Sequence, residues 1–352
     1  MNLLHKQFLC IVLLLAVTTV WSQSYNIGGD WLTQEWMDAR GWEEKGEFYS
    51  EAVGQHVGYL VSLPPSYHSD SAHQYPVVYW LHGKDGSAAS ANPLAARLDS
   101  AETTEGFVEF ILIALNSPGS WTEPPRPEMV TSEYIAHIDG KYRTIPTREA
   151  RALEGYSMGG AGTAHIGWNN LDRYGSISVL AGALHHSITE LEPVVRQNAE
   201  KAKGNTFLRL HVGEKDYADL RAAMETLHAL YDELRLEHDW YLITNASHDP
   251  GGSFFPSWDK MDVDMFGFWK RAFGSIPAVA IRSGHISWRL ASAGADRHAA
   301  SIPATAHIYT VQGRRIEQAF GKGPAARPGA GGAYVLRALQ GQAGTVLYTN
   351  GR

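Results

Sequence analysis

The chain has 352 residues, 44% of them hydrophobic and 19% charged, a composition of a folded globular protein with room for one large domain and a small second one. A net charge of −7 without any run of Lys/Arg excludes the electrostatic footprint of a nucleic-acid binder. Cys10 is the sole cysteine and lies in a segment expected to be removed, so the mature chain has no disulfide, thiolate metal site or cysteine nucleophile.

Residues 1–22 read as a secretory signal: one lysine, an apolar run from Phe8 to Val20, and Val20-Trp21-Ser22 before Gln23. Thirteen residues are too few to span a bilayer comfortably, and no later segment reaches that length, so no stable membrane anchor is expected. Residues 23–45 form an aromatic, acidic lead-in without an assigned structure. "EFYSEAVGQHVGYLVSL" predicts two antiparallel strands stopped by Pro64-Pro65. "YPVVYWLHG" and "FVEFILIALN" predict strands buried on both faces. "TSEYIAHIDGKYR" predicts a helix capped by Thr131 or Ser132.

A short strand "RALE" and a helix through Trp168 flank "GYSMGG"; "SISVLAG", "TFLRLHVG" and "DWYLIT" predict further strands, and "ADLRAAMETLHALYDELRLE" a long amphipathic helix. Strands alternating with helices predict an α/β fold with a mostly parallel central sheet over residues 46–274. Residues 276–352 carry nine Lys/Arg against two acids, Asp296 and Glu317, whereas the first 275 carry 21 against 35. That reversal, with Ala/Gly-rich, β-like runs, predicts a separate small all-β C-terminal domain.

Gly155-Tyr-Ser157-Met-Gly159 has the Gly-x-Ser-x-Gly form of a nucleophile elbow. Chance alone supplies about a quarter of a match in a chain of this composition, so the flanking elements must decide. The predicted strand, tight turn and helix are those the chemistry requires. A serine also needs a base, and the base an orienting acid. In this fold class the acid follows one late strand and the histidine the next; here those strand ends deliver Asp216 and His248. Glu214 and Asp219 compete as the acid, and fifteen other histidines as the base. The oxyanion donors are expected from the backbone N–H of Met158 and of Lys84 or Gly83 in "WLHGKDG", with His82 a structural turn residue. Trp121, in the loop "NSPGSWTEPPRP", is a candidate stacking platform for a sugar or an aromatic acyl group.

The ordered set "YPVVYWLHGKDG", "YIAHIDGKYRT", "REARALEGYSMGG", "HVGEKD" and "ASHD" resembles the esterase D-like, family-one carbohydrate esterases over about residues 47–273. That group includes feruloyl and acetylxylan esterases, S-formylglutathione hydrolases and mycolyltransferases. The resemblance implies an α/β-hydrolase fold, a Ser157–His248–Asp216 triad and no cofactor. "DPGGSFFPSWD" departs from the family's usual aromatic-rich ending. "IYTVQGRRIEQ" and "GAGGAYVLRALQGQ" are similar to the sorting domain of the type IX secretion route, which implies secretion machinery as a partner of residues 276–352.

The expected function is a secreted serine esterase acting on feruloyl or acetyl groups of plant cell-wall polysaccharide. The rivals are a non-catalytic carbohydrate-binding or surface protein on the same fold, and a metal-dependent deacetylase suggested by 16 histidines. No HExxH or comparable ligand spacing supports the latter.

Overall fold

Eight strands make one sheet, and their order explains where the reactive groups can meet. The computed structural model describes residues 32–101, 108–117, 119–256, 265–274 and 276, together with short strands between 300 and 349. The expected signal segment, residues 23–31 of the lead-in and most of the expected C-terminal domain lie outside the described residues.

In chain order the elements are α1 (Gln34–Asp38), β1 (Glu44–Ser50), β2 (Gln55–Ser62), β3 (Val77–Leu81), α2 (Asn92–Ala101) and β4 (Ile111–Leu115). Then follow α3 (Ile135–Lys141), β5 (Arg151–Tyr156), α4 (Met158–Asn169), β6 (Ser176–Leu180), α5 (Ile188–Ala202), β7 (Phe207–Gly213), α6 (Ala218–Glu233), β8 (Asp239–Ile243) and α7 (Met265–Gly274). The sheet order is β1-β2-β4-β3-β5-β6-β7-β8. The β1–β2 and β2–β4 pairs are antiparallel and the rest parallel, giving the mostly parallel α/β-hydrolase sheet that the sequence predicts.

β3 and β4 are buried throughout, as continuous apolar runs must be when helices cover both faces. Val77, Tyr79 and Leu81 of β3 join Ile111, Ile113 and Leu115 of β4 in one core with Met129, Tyr134 and Ile138. Elsewhere Phe110 packs on Trp269 and Phe273 of α7.

One local expectation is corrected, and one helix is added. The helix leading into α3 starts before Thr131 and Ser132: Arg126–Glu128 and a π-helical turn, Met129–Tyr134, precede it. Pro125 and Pro127 supply the start, since a proline loses nothing where the first N–H groups have no acceptor. The Thr131 hydroxyl donates back to Pro127 O at 2.8 Å and caps nothing. A helix the sequence reading does not predict, α5, carries Pro193 inside it. It survives by burying Leu191, Val195, Ala199 and Ala202.

The chain divides into two compact units, Met1–Ile276 and Pro277–Arg352. Ile276 is buried, and its N–H donates to Phe273 O at 3.0 Å, closing the first unit. In the second unit the described backbone forms three antiparallel pairs. These are β9 (Ala300–Ser301) with β12 (Pro324–Ala325), β10 (Ile308–Tyr309) with β11 (Arg315–Ile316), and β13 (Ala333–Arg337) with β14 (Thr345–Thr349). Among the described residues no helix is long and apolar enough to cross a membrane.

Candidate active site

Parallel strands place all their carboxyl ends on one edge of the sheet, where ligand sites of such sheets form. β3 ends there at His82-Gly83, β5 at Ser157, β7 before Asp216 and β8 before His248.

Ser157 sits between β5 and α4 with φ 60° and ψ −118°, a region costly for any residue with a Cβ. Surrounding bonds hold it there. Its N–H donates to Leu180 O at 2.9 Å, and its carbonyl accepts from Ala161 N at 3.0 Å and Ala183 N at 2.9 Å. The flanking glycines act through space rather than through their own φ. A Cβ on Gly155 would stand 2.4 Å from Gly159 O, and one on Gly159 would stand 1.9 Å from Leu81 O. The strain falls on the serine; the glycines let α4 press against β5 and the end of β3.

His248 Nε2 lies 2.7 Å from Ser157 Oγ, and His248 Nδ1 lies 2.8 Å from Asp216 Oδ1. A carboxylate only accepts, so Nδ1 carries the proton and Nε2 faces the serine hydroxyl as acceptor. Asp216 Oδ1 also accepts from Tyr217 N at 2.8 Å, while Oδ2 is buried without a hydrogen-bond partner among the described residues. The loops carrying Asp216 and His248 are tied together: Glu214 N donates to Ile243 O at 2.9 Å and Lys215 N to Ala246 O at 2.8 Å.

The competing acids point elsewhere. Glu214 Oε2 accepts from Asn245 N at 2.9 Å, and Asp219 Oδ1 accepts from Leu220 N at 2.9 Å. Of the sixteen histidines, His248 is the one the described structure places on Ser157 Oγ.

The helix N-terminus at Met158 directs unpaired N–H groups, and a partial positive charge, to the space beside Ser157. Gly83 lines the same space, because a Cβ there would lie 3.3 Å from Ser157 Cβ. Among the described residues neither Met158, Gly83 nor Lys84 donates its N–H to a backbone acceptor outside helices and strands. The His82 ring is buried and holds the turn: Nε2 accepts from Ser117 N at 3.2 Å, so Nδ1 donates to Gly83 O at 2.8 Å. Desolvation lowers the His82 pKa, in part offset by that bond, which keeps the ring neutral.

Trp121 requires a correction. It has no exposed surface, its Nε1 donates to His82 O at 2.9 Å, and a Cβ on Gly162 would meet its Cβ at 2.4 Å. It buttresses the β3 turn from within and offers no face to a sugar. Two aromatic residues that the sequence reading misses stand at the site instead. Tyr156 and Tyr217 each place a ring centroid 5.1 Å from His248. Tyr156 is buried, whereas Tyr217 is 65% exposed. Their signal was adjacency: one precedes Ser157, the other follows Asp216.

A family model described as "Putative esterase" matches residues 50–313. An S-formylglutathione hydrolase from Arabidopsis thaliana is 26% identical over 166 residues, 40% of this chain. The match spans 57% of that relative's length. Among solved structures, a ferulic acid esterase matches with TM-score 0.56 at 19% identity, over 65% of this chain and 98% of its own. The S-formylglutathione hydrolase of Staphylococcus aureus matches with TM-score 0.51 at 15% identity, over 66% and 96%. At such identities these structures share the fold.

Proposed function

Since the chain belongs to the esterase family, we propose that it is a secreted serine esterase that removes feruloyl or acetyl groups from plant cell-wall polysaccharide. The observation that carries the chemistry is the unbroken hydrogen-bonded series Asp216–His248–Ser157.

Ser157 Oγ attacks the ester carbonyl while His248 Nε2 takes its proton. Asp216 holds the opposite N–H and stabilises the imidazolium that forms. The negative charge developing on the carbonyl oxygen meets the N–H of Met158 and one from the Gly83–Lys84 turn, both fixed before the substrate arrives. His248 then returns the proton to the departing sugar oxygen as the C–O bond breaks, so that the sugar leaves as an alcohol and the acyl group stays on Ser157. Water, activated by the same histidine, hydrolyses the acyl-enzyme. Every proton movement passes through one imidazole whose tautomer is set by Asp216.

The likeness to ferulic acid esterases and the exposed Tyr217 ring beside His248 support an aromatic acyl group, on which such a ring can stack. The apolar run near the N-terminus and the basic, β-like segment 276–352 support secretion, with the latter engaging secretion machinery. The deciding experiment compares release of ferulate from a feruloylated arabinoxylan fragment with release of acetate from acetylated xylan. Release of neither, by a protein that still hydrolyses p-nitrophenyl acetate, would overturn the cell-wall assignment and leave the ester chemistry standing.

A further inference from the structure

His248 sits on the loop after β8, and its two hydrogen bonds, with Ser157 Oγ and Asp216 Oδ1, reach the ring nitrogens in the plane of the imidazole. They leave the faces of the ring to packing, which two tyrosines from different elements supply. Tyr156 is the last residue of β5, and Tyr217 directly precedes α6. Each ring centroid lies 5.1 Å from that of His248, with planes inclined by 30° for Tyr156 and 40° for Tyr217. Such shallow angles are those of offset stacking, not of edge-on contact.

Tyr156 contributes through its ring. Its hydroxyl is buried and has no hydrogen-bond partner among the described residues. Burial, with the charges of Asp216 and Asp249 nearby, raises its pKa well above the ordinary value, so the phenol stays neutral and offers no phenolate. Phe254 and Phe255 hold the ring in place, with centroids 5.1 Å and 6.1 Å away. Tyr217 is exposed, and water weakens what its ring can do for a neighbouring charge.

The face of a tyrosine ring is the negative end of its quadrupole and attracts a cation within about 6 Å of the centroid. Neutral His248 gains only the stacking. Once it holds the Ser157 proton it is an imidazolium, and attraction to the ring is added. An interaction that strengthens as the charge forms lowers the barrier instead of merely tightening the resting state. Asp216 answers the new charge in the ring plane, and Tyr156 answers it from the ring face.

We propose that Tyr156 is a positioning residue for ester hydrolysis, its ring face holding the His248 imidazole in line with Ser157 Oγ and stabilising the imidazolium it becomes. The proposal rests on the reading of Ser157, His248 and Asp216 as a catalytic triad. Tyr217 adds a weaker contribution of the same kind. Among the described residues the titratable groups against His248 are Asp216, Tyr156 and Tyr217, with Asp249 next in the chain and turned to Gly252 N.

The test replaces Tyr156 by leucine, by phenylalanine, and by phenylalanines bearing successively more ring fluorines, which drain the negative face with little change of shape. Turnover of p-nitrophenyl acetate is followed against pH, with active sites counted by a fluorophosphonate that labels the serine. Tyr156→Leu should lower kcat about 3- to 30-fold with KM nearly unchanged. Without the ring the imidazolium gives up its proton more readily, so the acid limb of kcat/KM should move down by roughly 0.5–1 pH unit. Tyr156→Phe keeps the ring face and should restore both values. Along the fluorinated series kcat should fall step by step, which decides the matter even where the leucine variant misfolds. A flat series, or a folded Tyr156→Leu with wild-type kcat and acid limb, would overturn the proposal. So would a Tyr156→Phe variant as slow as Tyr156→Leu, since the hydroxyl would then be the working group. Ser157→Ala, run beside them, separates two failures. An inert alanine variant with a flat series overturns the role of Tyr156 alone, whereas an active one overturns the triad and the proposal with it.

Discussion

The Tyr217 ring centroid lies 5.1 Å from that of His248, while the Tyr217 N–H donates to the Asp216 carboxylate that orients the same histidine. One residue thus touches both His248 and Asp216 and still exposes its ring to solvent. Replacing it by alanine should raise KM for feruloyl esters roughly 2- to 10-fold, the equivalent of an aromatic contact of about 0.5–1.5 kcal/mol, and change KM for acetyl esters far less. Tyr217→Phe should keep the wild-type KM. Steady-state kinetics on the two ester classes checks this; equal effects on both would remove Tyr217 from acyl recognition.

Asp216→Asn should lower kcat by about 10³–10⁴-fold, since an amide cannot stabilise the imidazolium and favours the wrong tautomer. Glu214→Gln and Asp219→Asn should stay within a few-fold of wild type, because their carboxylates bond backbone amides away from His248. A larger loss in either would shift the assignment of the acid.

Glu154 and Arg209 form a buried ion pair, with Arg209 Nε donating to Ser178 Oγ at 2.9 Å and the guanidinium resting on Phe268 and Trp269. It links β5, β6 and β7, and Glu154 stands three residues before Ser157. Removing one partner leaves a charge in the core, so Arg209→Met should cost about 3–5 kcal/mol in stability, measured by denaturant unfolding. The double change Glu154→Gln with Arg209→Met should recover part of the loss, since no unpaired charge then remains. A single variant as stable as wild type would contradict this.

Burial lowers the pKa of His82, His165 and His211. A histidine lowered in the folded state is protonated first in the unfolded chain. Its stability contribution is therefore complete above the ordinary value of about 6.5 and is lost as pH falls through the folded-state values. Protonating His82 would also remove the acceptor of the Ser117 N–H. Tm should hold between pH 8 and 7 and fall steadily toward pH 5; a Tm that rises across that interval would oppose the account.

Ser157, Asp216 and His248 were legible because each lies at or within a few residues of the end of a strand marked by its own apolar run. The buried strands β3 and β4 announced themselves in the same way. Other features depend on what tertiary structure brings near. The loop of Trp121 is rich in Pro, Ser and Gly and reads as exposed, yet Gly162 of α4 and the His82 carbonyl enclose the indole. Pro193 masks α5, whose helix rests on its buried face rather than on propensity. Nor does the motif reveal that backbone strain falls on Ser157 while its glycines serve close packing.

The most direct test of the central claim is the turnover of p-nitrophenyl acetate by Ser157→Ala. Only a hydroxyl is lost, and the elbow backbone is held by bonds to Leu180, Ala161 and Ala183 that the substitution leaves in place. The variant should fold and melt like the wild type, with kcat reduced by about 10⁴–10⁶-fold. A folded Ser157→Ala protein that turns over the ester at near wild-type rate would contradict nucleophilic catalysis by Ser157.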